Sequence, residues 1–244
     1  MQLELEAGVW LNYQTEGNPQ QPTVLLWHGA GCNLRQWDHV VPSLINQFHV
    51  VRFDVRGAGQ SSSGSDADYT FETYADDACA LLDHLNLDQC YVWSMAWGSR
   101  AGFAFCARHP ARVSRAAFFD LSIDKADVTA QREGTRRARE RQKAAGYTSP
   151  ALPAGWNDHR DPTALDKSLA AAGKTRLRDL AARLTMPVLV ATGDHDPNLA
   201  SSRDAVSLLP DARLRVLKDV GHGSVLMQPH LCTEVAVKFF AQPD

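Results

Sequence analysis

Short continuous apolar runs punctuate the chain at residues 23–27, 48–53, 90–93, 116–119, 188–192 and 214–217. Rich in Val, Leu and Phe and not alternating with polar residues, they have the pattern of strands covered on both faces of a parallel sheet. Between them, residues 34–45, 71–85, 99–109, 199–208 and 229–241 carry helical patterning. Residues 1–15 alternate instead, with Leu3, Leu5, Val9, Leu11 and Tyr13 on one phase, and predict one or two antiparallel edge strands. Strands and helices in this order predict an α/β fold: a mostly parallel twisted sheet, helices on both faces and right-handed crossovers.

One interval breaks the rhythm. Residues 121–185 contain helical stretches and Pro150, Pro153 and Pro162, but no strand pattern. A structureless loop of that length is uncommon in a compact domain. The expectation is one domain over residues 1–244 with a short helical cap, 121–185, inserted in it. Within 131–143, Arg132, Arg136, Arg137, Arg139, Arg141 and Lys143 stand against Glu133 and Glu140. Such a run is usually a solvated helix face; the second reading is attraction of an anionic substrate or partner to the cap.

Composition narrows the function classes. With 244 residues, 44% of them hydrophobic, the chain can bury a full core. Its 25 basic and 28 acidic residues give a net charge of −3, so no global positive field favours nucleic acid. No apolar stretch approaches a membrane span, and Met1-Gln2-Leu3-Glu4 lacks the layout of a signal peptide, so a soluble cytoplasmic protein is expected. Cys32, Cys79, Cys90, Cys106 and Cys232 form no C-x-x-C pair and read as reduced, mostly buried thiols, a catalytic cysteine being the alternative. No metal site and no cofactor are expected: a P-loop is absent, and Arg56-Gly57-Ala58-Gly59 lacks the further glycine of a dinucleotide fingerprint.

In open parallel sheets ligands bind outside the carboxyl ends of the strands. The residues that follow these strands are His28-Gly29-Ala30-Gly31, then Asp54-Val55-Arg56-Gly57-Ala58-Gly59-Gln60-Ser61, then Ser94-Met95-Ala96-Trp97-Gly98, then Gly193-Asp194-His195-Asp196, and finally Gly221-His222-Gly223. In order and spacing they resemble the α/β-hydrolase fold family, serine-triad esterases and lactonases included, over nearly the whole chain. The segment from Trp97 to Arg108-His109-Pro110 is similar to the helix that follows the family's nucleophile elbow and sets the register.

The resemblance places the nucleophile position on Ala96, whose methyl group cannot attack a carbonyl. Small residues at 94, 98 and 99 keep the sharp strand-to-helix turn possible. Ser94 is the alternative nucleophile if the register shifts, and Ser99 a weaker one. The resemblance makes His222 the general base and Asp196 the acid behind it, with Asp194 and Asp120 as competing acids. It implies an oxyanion hole from the backbone N–H groups of Trp97 and Ala30. Ala30, Gly31, Trp97 and Ser94 are the expected substrate-binding residues. His28, Asp54, Arg56 and Gly57 read as braces of their loops. Trp27, Trp93, Trp97 and Trp156 are candidates for the pocket wall or the core.

These residues imply a hydrolase for a small ester, enol-lactone or related carbonyl substrate, silenced as a serine hydrolase at position 96. Two alternatives stay open. One is an enzyme that uses His222 as a base without a nucleophile, of lyase or cofactor-free dioxygenase type. The other is a non-catalytic receptor binding its ligand under the cap.

Overall fold

The computed structural model describes residues 1–6, 8–63 and 69–242. Eight strands form one sheet: β1 (Gln2–Glu6), β2 (Val9–Glu16), β3 (Thr23–Trp27), β4 (His49–Phe53), β5 (Cys90–Met95), β6 (Val113–Phe119), β7 (Val188–Gly193) and β8 (Ala212–Leu217). Their order is β1-β2-β4-β3-β5-β6-β7-β8. The β1–β2 and β2–β4 pairs are antiparallel and the others parallel. Strands β3, β4 and β7 are buried along their whole length, and β5 and β6 at all but one position, because side chains of opposite parity enter two different cores. Leu25, Trp27, Val51, Phe53, Val92 and Phe118 face one, and Val24, Leu26, Val50, Trp93, Ala117 and Phe119 the other.

The first core is closed by α2 (Phe71–His84) and α3 (Trp97–Arg108), the second by α1 (Val41–Leu44) and α8 (Pro229–Phe240). Helix α2 starts where the Thr70 hydroxyl accepts the Thr73 N–H at 3.1 Å. The helix expected over 34–45 is broken into a 3-10 turn, Leu34–Trp37, and α1. Pro42 lacks the N–H that a continuous helix would donate to the Asp38 carbonyl. Strand β8 also departs from expectation, for Arg213, Arg215 and Val216 are exposed on this edge of the sheet.

Between β6 and β7 the described chain contains helices and turns but no strand: α4 (Val128–Ala144), α5 (Pro162–Ala170) and the 3-10 turns Ala171–Gly173 and Leu177–Arg183. Asp127 caps α4 by accepting the Ala130 N–H at 2.9 Å, and Asp161 caps α5 through the Thr163 and Ala164 N–H groups. Helix α6 (Asn198–Leu208) follows β7, and α7 (Ser224–Met227) precedes α8. No helix among the described residues is long and apolar enough to cross a membrane.

The loop after β4 is braced as the sequence leads one to expect. The Asp54 carboxylate accepts the Leu34 N–H at 2.6 Å, the Gln60 N–H at 2.8 Å and the Asn12 side-chain amide at 2.8 Å. Arg56 forks onto Asp77 at 3.0 and 2.7 Å and reaches Glu6 at 2.9 Å. His28 donates from Nδ1 to the Gly29 carbonyl and accepts the Val55 N–H on Nε2, and its burial lowers its pKa, so it serves as a neutral strut. Asp54→Ala leaves three donors without their acceptor. It is expected to destabilise the protein by about 2–4 kcal/mol, read as a lower urea midpoint at unchanged m-value.

Candidate active site

Ala96 lies at the apex of the turn from β5 into α3, with φ 56° and ψ −116°. An L-residue other than Asn or Asp rarely holds a positive φ. The neighbours fix it: the Ala96 N–H donates to the Phe119 carbonyl at 2.8 Å, and its carbonyl accepts the Ser99 N–H at 3.0 Å and the Arg100 N–H at 3.3 Å. Gly98 allows the close approach this turn needs, since a Cβ there would overlap the His28 carbonyl oxygen.

Ser94 does not reach the pocket, which corrects its assignment as a substrate-binding residue. Fully buried below the turn, its hydroxyl donates to Ser99 Oγ at 3.2 Å, and Ser99 donates to the Phe119 carbonyl at 2.8 Å. Its place on β5 is the cause: position 94 points to the α3 side of the sheet, against Gly102. Both serines are thus core hydrogen-bonding groups. Gly31 is likewise outside the pocket wall. It sits at φ 65° in its loop and gives its carbonyl to His159. Trp27 and Trp93 are entirely in the core, Trp27 against Phe53 and Phe105 and Trp93 against Trp37 and Phe119.

Above the strand ends lies a cavity of about 1070 Å³ lined by Ala30, Ala96 and Trp97, which form its floor, and by His222. Trp156 and Leu169, from the segment between β6 and β7, form part of its wall. Trp97 is placed by a 3.3 Å bond from its indole N–H to the Leu169 carbonyl. Among the described residues, the backbone N–H groups of Ala30 and Trp97 have no acceptor within the chain. Cys32 also lines the cavity, but burial pushes its thiol up to about 12, so it is not a thiolate at neutral pH.

His222 stands at the cavity edge, its Nδ1 2.9 Å from Asp196 Oδ2. The other Asp196 oxygen accepts the Asn198 N–H at 3.0 Å. Asp194, the rival acid, is exposed and accepts the Val220 N–H at 3.3 Å. Burial works against a charged imidazole, but the Asp196 hydrogen bond and the Asp196 and Asp120 charges outweigh it and raise the His222 pKa above its ordinary value.

Asp120, at φ 54° just after β6, lies wholly buried behind the pair. One of its oxygens accepts the Gly223 and Ser224 N–H groups at 3.0 and 2.7 Å, holding the loop that carries His222. Burial first, and then the Asp196 charge, raises the Asp120 carboxyl to about 7. Ligand atoms of Asp120, Asp196 and His222 lie within 4.8 Å of one another, a spacing that could hold a cation. A cation would compete with the bond that orients His222, so the arrangement is better suited to moving protons. A second set, Asp194, His195 and Asp219, is more open, with Asp219 already bonded to Arg141 at 2.8 Å.

The profile of the family described as alpha/beta hydrolase fold matches residues 22–144, just over half of the chain. The chain belongs to the α/β hydrolase fold family. It is 38% identical over 117 residues to the probable oxidoreductase EphD of Mycobacterium tuberculosis, a match covering 47% of this chain and 20% of that protein. It is thus similar to about a fifth of EphD. It is 23% identical over 240 residues to 3-oxoadipate enol-lactonase 2 of Acinetobacter baylyi, covering 91% of this chain and 89% of that one. The enol-lactonase structure from Burkholderia xenovorans LB400 superposes with a TM-score of 0.80 at 24% identity, covering 96% and 98% of the two chains.

On this α/β hydrolase frame the structure adds residues that motif spacing does not reveal. Asn198 donates from its side chain to the Asp120 carbonyl at 2.9 Å and receives Gln131 of α4 at 3.1 Å. Thr135 of α4 donates to the His222 carbonyl at 3.1 Å. A Cβ on Gly134 would overlap the His195 carbonyl oxygen, so α4 lies directly on the loop that carries Asp196. The signal was present: one glycine inside an otherwise highly charged helical run marks close packing.

Replacing Ala96 by Gly relieves the positive φ and is expected to stabilise the protein by about 1 kcal/mol in chemical denaturation. An unchanged or lower stability would count against backbone strain at the elbow. A second expectation concerns pH. Both His222 and Asp120 bind protons more tightly folded than unfolded, so their contributions are fully present below the unfolded pKa values and are lost as pH rises through the folded ones. The share of stability these two groups supply should fall from about pH 4 to above pH 7, and is read as the difference between the pH profiles of the parent and Asp120→Asn, which should lose the lower part of that decline. The His222 ring, followed by NMR, should titrate above its ordinary value and drop in Asp196→Asn.

Proposed function

We propose that this α/β hydrolase takes a small ester, enol-lactone or related carbonyl compound, and that Ala96 closes the acyl-enzyme route at its nucleophile position. The observation that carries the reading is Ala96 at φ 56°, on the floor of the cavity that His222 also lines. In this reading the Trp97 and Ala30 N–H groups receive the carbonyl oxygen, His222 is the general base and Asp196 orients its ring. Residues 121–185 serve as a cap over the pocket. Preorganised backbone donors of this kind are worth about 3–4 kcal/mol to an oxyanionic transition state, and they do not depend on the side chain at 96. With a hydroxyl at 96, His222 Nε2 would take its proton as Oγ attacks the carbonyl carbon. The same proton would then pass to the departing alcohol oxygen. The five free cysteines, four of them buried, support a reducing, cytoplasmic setting.

A second reading, in which His222 acts as a base with no covalent step, is favoured by the Asp196–His222 pair. That pair is intact and biased toward accepting a proton despite the methyl group at 96.

The test compares the protein with Ala96→Ser on p-nitrophenyl acetate, p-nitrophenyl butyrate and a panel of lactones. Serine should create hydrolysis at least about a hundredfold above the parent, and His222→Ala in the same background should abolish it. Serine without effect, together with His222-dependent turnover by the parent, would transfer the function to base-only chemistry. Tight ligand binding with no turnover in any variant would make the protein a receptor.

A further inference from the structure

A second cavity, of about 690 Å³, adjoins the first at Ala30, Val128, Gln131 and His222. Its outer wall is one stripe of α4: Arg132, Arg136, Arg139 and Lys143, spaced 4, 3 and 4 residues apart along the helix. Glu140, the carboxylate in that wall, is already bonded to Arg136 at 2.7 Å. Arg132, Arg139 and Lys143 have no anionic partner among the described residues. The face of α4 beside the stripe is fixed, because Gln131 is bonded to Asn198 and Gln142 to the Asp219 carbonyl at 2.7 Å. The stripe therefore cannot turn away from the mouth. Inside the larger cavity the same sign continues. Arg100 bonds carbonyl oxygens, of Ser122, Asp124 and Ala172, and the one carboxylate in that wall, Asp124, which also acts on Arg100 through space, is bonded to Arg178 at 2.9 Å. A chain with a net charge of −3 thus concentrates positive charge around one opening.

Low-dielectric walls focus such a field, and long arginine side chains match carboxylate oxygens in geometry as well as in charge. We infer that the ligand is an anion, a carbonyl compound bearing a carboxylate at its far end, which Arg132, Arg139 and Lys143 hold while the carbonyl reaches the floor at Trp97 and Ala30. The inference rests on the carbonyl-binding reading above and adds the substrate's charge to it. It makes α4 the specificity element of the site.

Calorimetry on the unaltered chain at low ionic strength, with monomethyl glutarate and dimethyl glutarate as probes, tests the charge directly. The monoanion should bind about tenfold or more tightly, and the difference should shrink as salt is added. In Arg132→Gln/Arg139→Gln/Lys143→Gln the two probes should bind alike. Arg137→Gln/Arg203→Gln/Arg213→Gln, which removes the same charge from exposed positions outside both cavities, should keep the preference. All six side chains are exposed, so neither variant should lose its fold. Equal binding of the two probes to the parent, or a preference that survives the first triple variant, overturns the proposal. So does a preference lost equally in the second. In the Ala96→Ser background, mono-p-nitrophenyl glutarate and p-nitrophenyl butyrate separate the two readings. Equal hydrolysis, unaffected by the α4 substitutions, overturns the anion site and leaves the carbonyl reading standing. Selective binding of the acid with no hydrolysis of either ester supports the anion site and removes the carbonyl reading.

Discussion

The turn between β5 and α3 is the constraint on which the rest of the site depends. A strand that ends and a helix that begins within one residue require a positive φ at Ala96 and contact between Gly98 and the His28 carbonyl. Contact at that distance ties the β5 turn to the β3 loop, so the Trp97 and Ala30 amides come to line the same cavity floor. The β4 loop is tied in turn to β3 through His28 Nε2 and Val55. Three strand ends thus behave as one rigid platform, and the cavity follows from their parallel registration.

The other half of the site is held by charge and hydrogen bonding, with less contribution from packing. Asp196 comes from the loop after β7, His222 from the loop after β8, and Asp120 from the end of β6. Each would be costly to bury alone. Asp196 accepts from His222, and Asp120 accepts from the Gly223 and Ser224 amides of the loop that carries His222. Helix α4 closes this assembly from above, with Gly134 on the Asp196 loop and Thr135 on the His222 loop. Access to the pocket and orientation of the histidine therefore depend on the same helix, which is why a charge stripe on its outer face stands so near His222.

Much of this was legible in the sequence because the elements that carry it obey local rules. Continuous apolar runs locate the buried strands, Thr23–Trp27 to the residue, while β6 starts three residues earlier than its apolar run, at Val113. The Gly-rich segments after those strands located the loops that line the site. Side-chain direction was harder to read. Ser94 was expected at the pocket, but its parity on β5 sends it into the core, and the elbow reverses the chain only two residues later. Gly31 lies off the pocket because a loop bordering a pocket need not expose every residue to it. The broken helix after Leu34 turned on a single missing N–H at Pro42, a cost that apolar periodicity does not register. Asn198 and Gln131 could not be found from spacing, for their roles arise from contacts between segments far apart in the chain.

The energetic balance of the site bears on whether it is in use. A non-glycine residue at the Ala96 angles costs about 1–3 kcal/mol, and glycine there would avoid that cost without altering the fold. Asp120 holds two amides with one oxygen while the other, buried, has no partner among the described residues. An asparagine could accept the same two bonds without placing a second carboxylate beside Asp196. Neither feature is needed to build the sheet. Both bear directly on the environment of His222: the elbow fixes the cavity floor beneath it, and the Asp120 charge adds to that of Asp196 in favouring its protonated form. The strain at Ala96 is a cost that the packing of the sheet does not require, and it falls at the residue that borders the cavity beside His222.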